Sequence, residues 1–374
     1  MKRVLTLAAL MLLSLGITSA FAAETSVKGT IYANWGLNLT DGMDNYNAFT
    51  IGRAYFGVES KLSDYTSMRI TFDIRPEKIK TPETSAIDSD EDTVRIPKLT
   101  AYAGYAVILK YAYADWRIKP VAQVFKLRFG LQPTMYLNYV DGIWGHRYIE
   151  KNAGDLNDLT STSDLGVSAM ATLGPQGNLG EVGLSVLNGT KYSDFEDKNK
   201  NKDLNFFGKL TPFYNSGDFN QVAVLGQVYL GTQNRTITAT ENSSDWKKQI
   251  VSIGSKLAYQ KKLDLCFDLN FQTLSQGSGQ EDTKQRALSF WGDLYLNSLT
   301  PPSSLLKTLA LYGRYDQYDP NTNLADDGYS LLIAGVECAP IKGVKASLAY
   351  RQISPEATGS VDDRGIMLNT EFKF

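Results

Sequence analysis

Basic side chains recur at alternate positions along the first third of the chain, and a few carboxylates lie among them. The basic residues are Arg53, Arg69, Arg117, Lys126 and Arg128, and the carboxylates are Asp73 and Asp115. Alternate residues of an extended strand share one face, so we expect these charges to lie on a common surface. The chemistry of such a surface is electrostatic, because it attracts or repels ions and orients dipoles in water. The alternative is that each cation pairs with a nearby acid and only hydrates the surface.

A second charged set lies in one long segment, from Tyr136 to Ser163, which the pattern predicts as a loop. Its charged or ionisable residues are Asp141, His146, Arg147, Glu150, Asp155 and Asp158. Aromatic residues such as Tyr139 and Trp144 make this segment too apolar for a loop surrounded by water. We therefore expect it to fold inward and dock on an interior wall. The alternative is an exterior loop packed on its neighbours or on another subunit.

If the loop carboxylates face the basic cluster across a narrow aqueous gap, the two sets create a transverse field. Such a field favours polar solutes and opposes apolar ones, and low-dielectric walls strengthen it. At a Debye length of about 10 Å, salt screens charges at the wide ends of a channel more than charges in a narrow constriction. The expected result is selection among solutes rather than chemical turnover.

Catalytic and metal chemistry are not expected. The single histidine, His146, lies in a predicted loop, whereas barrel phospholipases pair serine and histidine on neighbouring outward strand positions. One histidine and no Cys-x-x-Cys motif make a zinc site improbable. Acidic clusters at 88–92 and 194–203 lack calcium-loop spacing and favour solvated charge or contact with lipopolysaccharide. No metal or cofactor is predicted, and a net charge of −2 gives no reason to expect nucleic acid binding.

The elements that carry these residues are predicted to be β-strands. From Val27 to Leu39 the odd positions are mostly apolar and the even positions mostly polar. This run exceeds the 9–11 residues or so that a tilted strand needs to cross a bilayer. A helix would instead group apolar residues three and four positions apart.

Similar segments follow along the whole chain and predict sixteen strands, with fourteen or eighteen as alternatives. They are 26–40, 47–60, 65–74, 105–118, 122–133, 164–173, 179–188, 203–213, 219–232, 248–260, 262–273, 286–296, 306–317, 328–339, 343–353 and 363–374. Mostly short links follow even-numbered strands, and longer polar links follow odd-numbered ones, as in barrels with short periplasmic turns and long extracellular loops. Lys110 breaks the outward alternation, which indicates a shifted register or an interface.

Both ends of the chain favour the same compartment. Residues 1–22 combine a basic start, an apolar run and the small-x-small site Ala20-Phe21-Ala22, which predicts a secretory signal peptide. Residues 23–374 are then one barrel. Phe372 and Phe374 end an alternating strand, in a pattern similar to the signal read by the bacterial barrel-assembly machinery. We therefore predict an all-β transmembrane antiparallel barrel in the bacterial outer membrane, in contact with its lipid and lipopolysaccharide.

Four motifs resemble bacterial porins, and more narrowly the phosphate-selective porin O and P family. They are Arg53–Val58, Lys110–Trp116, Arg128–Pro133 and Trp144–Glu150. The similarity is concentrated in residues 25–170. It implies a sixteen-stranded barrel, assembled as a homotrimer, whose third long loop folds into the lumen. Phosphate-selective members carry denser basic residues than this chain, which argues against phosphate selectivity.

A wall of about sixteen strands encloses an aqueous lumen, whereas about eight strands are filled by their own side chains. The sequence therefore predicts a passive, non-enzymatic channel for small hydrophilic solutes, with a weak anion preference from the basic cluster. One alternative is a channel selective for a particular sugar, carboxylate or fatty acid. The other is a structural or adhesive barrel with a closed lumen.

Overall fold

The segment Leu263–Leu274 shows how this sequence forms a strand. Its even positions, among them Asp268 and Gln272, are buried, whereas odd positions such as Leu265 and Phe271 are exposed. Polar side chains are thus inside and apolar ones outside, the reverse of a soluble sheet. A strand with this pattern suits a wall that separates lipid from water.

The structure, a computed structural model, describes residues 24–374 except 79–101, 119–120, 122–123, 195, 214–217, 239–240 and 298–307. The predicted signal peptide and the acidic cluster at 88–92 lie outside the described residues. The strands are β1 (Glu24–Asn38), β2 (Asn47–Lys61), β3 (Thr66–Lys78), β4 (Tyr102–Arg117), β5 (Phe125–Pro133), β6 (Ser163–Leu173), β7 (Gly180–Leu187), β8 (Asp203–Leu210), β9 (Phe219–Thr232), β10 (Lys247–Tyr259), β11 (Leu263–Leu274), β12 (Thr283–Tyr295), β13 (Ala310–Asp319), β14 (Tyr329–Ile341), β15 (Val344–Pro355) and β16 (Asp363–Lys373). The helices are α1 (Met135–Trp144) and α2 (Ala153–Leu156).

Each strand pairs with its neighbours in the chain, and β1 pairs with β16 to close a barrel. All pairings are antiparallel, and the predicted sixteen strands are confirmed, which excludes fourteen or eighteen. The predicted boundaries are close, although β3 continues to Lys78 and β13 begins only at Ala310. No helix among the described residues is long and apolar enough to span a membrane.

The seam between the first and last strands ends at the last residue. The backbone N–H of Phe374 donates to the carbonyl of Gly29 at 3.1 Å, and Gly29 donates back at 3.1 Å. The Phe374 ring lies over Gly29, where a side chain would collide with it. This ring is 73% exposed on the outside of the barrel. Whether Phe372 and Phe374 act as an assembly signal stays a prediction.

Lys110 faces inward because β4 contains a bulge. Thr71 pairs with Tyr111 and Phe72 pairs with Leu109, so Lys110 is the extra residue between two ladder positions. A bulge places two successive side chains on one face of the strand, so the alternation of inward and outward side chains is reversed beyond it. The shifted register expected from the sequence is therefore the correct interpretation of Lys110.

Gly130 lets β4 and β5 approach each other. Its φ of 123° is unfavourable for any residue with a side chain, and a Cβ there would collide with the carbonyl oxygen of Ala112. Because Arg128 lies two residues before it on β5, this contact helps to position the predicted basic cluster.

We predict that Gly130→Ala lowers the temperature at which the detergent-resistant barrel unfolds. The clash and the strained backbone should cost about 1–3 kcal/mol. Gly36→Ala on β1 is the matched control, because nothing lies within 4 Å of its added Cβ. Heat-dependent electrophoretic mobility measures both variants. Equal unfolding temperatures would show that β4 and β5 can separate without cost.

Candidate functional site

The third loop, residues 134–162 between β5 and β6, lies inside the barrel. It begins with α1, in which Tyr136, Val140 and Trp144 form one buried stripe at a spacing of four residues. Gly145 ends the helix in the left-handed conformation, with its N–H donating to the Asp141 carbonyl at 3.0 Å. The predicted inward fold of this loop is confirmed, although its helix was not predicted.

Helix α1 can pack closely against the inner face of the barrel because two strand residues beneath it are glycines. A Cβ on Gly183 of β7 would collide with the Met135 sulfur, and one on Gly254 would lie 3.1 Å from the Tyr136 hydroxyl. Tyr136 instead donates a hydrogen bond to Asp268 at 2.5 Å. The first turn of α1 is thus fixed to β11.

Further along, the loop is held by an acidic wall, defined here as Asp268, Asp293 and Glu337 on β11, β12 and β14. His146 contacts Asp293 through Nε2 at 2.5 Å and Glu337 through Nδ1 at 2.9 Å. Tyr148 donates to Glu337 at 2.6 Å. The loop therefore uses the carboxylates of this half of the barrel as its binding partners.

His146 is the centre of this attachment and is only 4% exposed. Its ring stacks on Tyr312 at 4.7 Å between ring centres. Burial lowers the pKa of His146, but hydrogen bonds to Asp293 and Glu337 and their charges outweigh burial and raise it above the ordinary value. Both ring nitrogens are occupied, so neither is available to act on a solute. His146 therefore anchors the loop on the wall rather than lining the open space.

The loop carboxylates pair mainly within the loop. Arg147 binds Asp155 at 2.6 Å and Asp141 at 3.1 Å. Burial raises the pKa of Asp155, but Arg147 and Lys151 outweigh burial and hold it below its usual range. The charges of Arg147 and Lys151 thus balance those of Asp141 and Asp155, so the loop does not present a purely acidic face to the lumen.

Two other predicted loop residues point elsewhere. Glu150 binds Arg351 of β15 at 3.1 Å, and Asp158 binds Lys191 at 3.1 Å. The structure therefore brings Asp141, Arg147 and Asp155 together but separates Glu150 and Asp158 from them. Their role as constriction residues stays a prediction.

The basic wall, defined here as Arg53, Arg69, Arg117, Lys126 and Arg128 on β2–β5, is partly neutralised. Arg53 lies 3.5 Å from Asp73, and Arg69 lies 3.4 Å from Glu59. Asp115 serves two cations, with Arg128 at 2.6 Å and Lys126 at 3.7 Å. Pairing with nearby acids, which the sequence left open, therefore holds for Arg53, Arg69, Lys126 and Arg128.

Lys110 belongs to this wall and is absent from the predicted set. Its ammonium lies 4.6 Å from the Tyr55 ring centre, 5.5 Å from that of Tyr111 and 5.6 Å from that of Tyr192. It also donates to the Tyr55 hydroxyl at 3.2 Å. No carboxylate lies within 4 Å of it among the described residues. The break in alternation was the only sequence signal of this position.

The fourth loop, residues 188–202 between β7 and β8, also reaches this wall. Tyr192 donates to Asp73 of β3 at 2.7 Å and accepts from Arg75 at 3.3 Å. The loop therefore crosses part of the lumen to the basic wall. Nothing in the sequence pattern indicated this contact.

Space remains along the lower part of the basic wall. A cavity of about 370 Å³ includes Glu59, Arg69 and Asp115 in its lining. A smaller one of about 110 Å³ lies beside Tyr55 and Thr71. Glu59 and Arg69 line both cavities, so this arrangement can hydrate and orient ions and small polar molecules.

Comparison with known proteins supports the fold. No family model and no curated protein matches the chain. It is similar to the trimer form of OmpT, an outer membrane protein of Vibrio cholerae, with a TM-score of 0.58, 12% identity and coverage of 94% of this chain and 100% of that one. It is also similar to the outer membrane channel DcaP of Acinetobacter baumannii, with a TM-score of 0.58, 12% identity and coverage of 95% and 99%.

The anion-selective porin from Comamonas acidovorans gives a TM-score of 0.57 at 10% identity, with coverage of 94% of this chain and 100% of that one. At such identities the similarity shows the fold alone, which is the closed barrel of outer-membrane porins. The resemblance to the phosphate-selective porin O and P family is not confirmed.

We predict that His146→Ala loosens the third loop and increases single-channel conductance and current noise. The change leaves Asp293 and Glu337 without their shared partner, a loss on the order of 3 kcal/mol for a buried pair. Asp326→Asn is the control, because that residue is exposed in the connection between β13 and β14 and lies outside the third loop. Planar-bilayer recordings measure both variants, and unchanged conductance and noise in His146→Ala would contradict the anchoring role.

The same contact should depend on pH. Folding raises the pKa of His146, so the protonated ring stabilises the docked loop. This stabilisation is complete below about pH 6.5, which is the pKa of histidine in the unfolded chain. It is lost as the pH rises through the folded pKa. Wild-type noise should therefore increase at alkaline pH toward that of His146→Ala, whose noise should stay constant. Since this is the only histidine, its NMR titration reports the folded pKa directly; a midpoint at or below 6.5 would refute the shift.

Proposed function

We propose that this chain is a porin of the bacterial outer membrane, a passive and non-enzymatic channel for small hydrophilic solutes with a weak anion preference. One observation carries the proposal: the third loop docks on the acidic wall and leaves the basic wall facing the remaining space. Carboxylates that would attract cations are used to hold the loop. Ions that pass through therefore meet mainly the basic side of the barrel.

The charge balance of that side supports anions. Asp115 binds both Lys126 and Arg128, and Lys110 has no carboxylate within 4 Å among the described residues. Within that distance these three cations share one carboxylate, so positive charge exceeds negative charge around them. Because the acids remain close to most cations, the preference should be weak. A lumen bounded by low-dielectric protein strengthens the field of the unbalanced charge.

The exterior supports a membrane location and an assembly of several copies. Phe49 is 85% exposed and Phe129 is 70% exposed, on β2 and β5. Lipid or a second copy of the chain would cover such side chains. A homotrimer, contact with lipopolysaccharide and recognition of Phe372 and Phe374 by the assembly machinery are parts of the proposal.

A substrate-selective channel is the second candidate, and one observation favours it. Tyr192 crosses to Asp73, so two loops narrow the same region of the lumen. Conductance that a particular solute blocks in a saturable manner would support this candidate. A correctly folded protein that never conducts would instead support a closed structural barrel.

We predict that the triple change Arg69→Gln, Lys126→Gln and Arg128→Gln shifts ion preference toward cations. The change removes three positive charges and leaves Glu59 and Asp115 without these partners. The reversal potential in a potassium chloride gradient across a planar bilayer measures the preference. Lys261→Gln, in the short β10–β11 turn, is a control that should leave it unchanged. A reversal potential equal to that of the wild type would count against the basic wall.

A further inference from the structure

Lys110 is the bulged residue of β4, and it faces the lumen together with its neighbour Tyr111. Counted back from the inward-facing Tyr111, strict alternation would instead place residue 110 outward, among the lipid-facing side chains. A lysine facing lipid near the middle of the membrane costs about 2–4 kcal/mol. The bulge adds one residue, and Lys110 is consequently buried inside the barrel at 4% exposure. The irregularity thus brings a positive charge into the barrel.

The surroundings of Lys110 stabilise a charged amine without neutralising it. The rings of Tyr55, Tyr111 and Tyr192 surround the ammonium at 4.6–5.6 Å. Aromatic faces attract cations through their quadrupoles but carry no net charge. The ammonium also donates a hydrogen bond to the Tyr55 hydroxyl at 3.2 Å. Asp155 interacts with Lys110 electrostatically, but no carboxylate among the described residues lies within 4 Å of the ammonium to cancel its field.

A second cation converges on the same point. Arg53 donates to the Tyr55 hydroxyl oxygen at 3.2 Å, the same oxygen that Lys110 contacts. Arg147 of the third loop also interacts electrostatically with Lys110 and Tyr55. Asp73 offsets Arg53, and Asp141 and Asp155 offset Arg147. Lys110 is the member of this group that lacks a carboxylate partner among the described residues.

The position of Lys110 along the barrel axis determines how strongly its charge acts on ions in the lumen. The third loop reaches this level through Tyr148, whose ring lies 6.4 Å from that of Tyr32 beside Tyr55, and the fourth loop reaches it through Tyr192. Two loops therefore narrow the lumen there. Lys126 instead pairs in the ladder with Arg117, the last residue of β4, next to a short connection. Seven residues separate Arg117 from Lys110, which is roughly 20 Å along a strand. Salt screens a charge at a wide mouth more than one in a narrow throat.

We propose that Lys110 is the residue that determines the anion preference of this channel, an inference that rests on the proposed porin function. Small inorganic anions and carboxylate-bearing solutes are the class it favours. It acts through its field at the narrowed level, with the tyrosines and the bulge as its positioning groups. The predicted basic wall contributes less because its residues Arg53, Arg69, Lys126 and Arg128 are paired with acids.

The test compares two changes that remove the same formal charge at different depths. Lys110→Met keeps the length of the side chain and places a thioether against tyrosine rings, which is a favourable contact. Lys126→Met is the matched control, since Asp115 keeps Arg128 as its partner. Lys110→Arg keeps the charge. If Lys110→Met does not form the heat-resistant barrel, Lys110→Gln, which can still bond to Tyr55, replaces it.

The readout is the chloride-to-potassium permeability ratio from reversal potentials in planar bilayers at low and high salt. Lys110→Met should lower this ratio by roughly threefold, the effect of removing a unit charge about 10 Å from the ion path. Lys126→Met should change it less, and only at low salt, and Lys110→Arg should match the wild type. Equal effects of the two Met variants, or no effect of Lys110→Met, would overturn the assignment to Lys110 while leaving the porin intact. A wild-type protein without conductance, or without any anion preference, would overturn the proposed function and this inference together.

Discussion

The structure depends on one constraint: backbone groups in lipid must be hydrogen-bonded within the protein. A closed antiparallel barrel satisfies this requirement because it leaves no unpaired edge. Here closure is completed by the pairing of β1 with β16, which continues to Phe374. Once the wall is closed, alternation sends every second side chain inward, and sixteen strands leave too much space for those side chains to fill. The interior therefore contains water unless another part of the chain enters it.

The third loop enters this space, and its attachment is decided by the distribution of charge in the wall. Tyr136, His146 and Tyr148 bind carboxylates of the acidic wall. A carboxylate that accepts such bonds is no longer available to attract cations in the lumen. In the proposed channel, the same contacts that stabilise the loop leave the opposite, basic half to act on passing ions.

Local irregularities in the strands position Lys110, the basic wall and the third loop. The bulge in β4 turns Lys110 inward, and Gly130 allows β4 and β5 to approach closely. Gly183 and Gly254 leave room for the first turn of α1. Each of these features departs from a regular strand. The proposed functional part of this barrel therefore lies where the regular strand pattern is interrupted.

The sequence by itself predicted the barrel and the side of most strands that faces lipid, and it favoured sixteen strands while leaving fourteen or eighteen open. The physical reason is that alternation is a local property, which each segment displays without reference to the others. It also identified the third loop as inward, because Tyr139 and Trp144 are too apolar for water. Most strand boundaries could be read to within a few residues for the same reason.

Only the tertiary structure decided which charges meet. The pairing of Glu150 with Arg351 and of His146 with Glu337 joins residues about 200 positions apart, and no local pattern encodes such contacts. The predicted acidic face of the loop is instead a balanced cluster around Arg147, because Arg147 folds back onto Asp141 and Asp155. Lys110 was visible in the sequence only as an anomaly. Its place among three tyrosines depends on strand register and on a distant loop, which the closed barrel alone brings together.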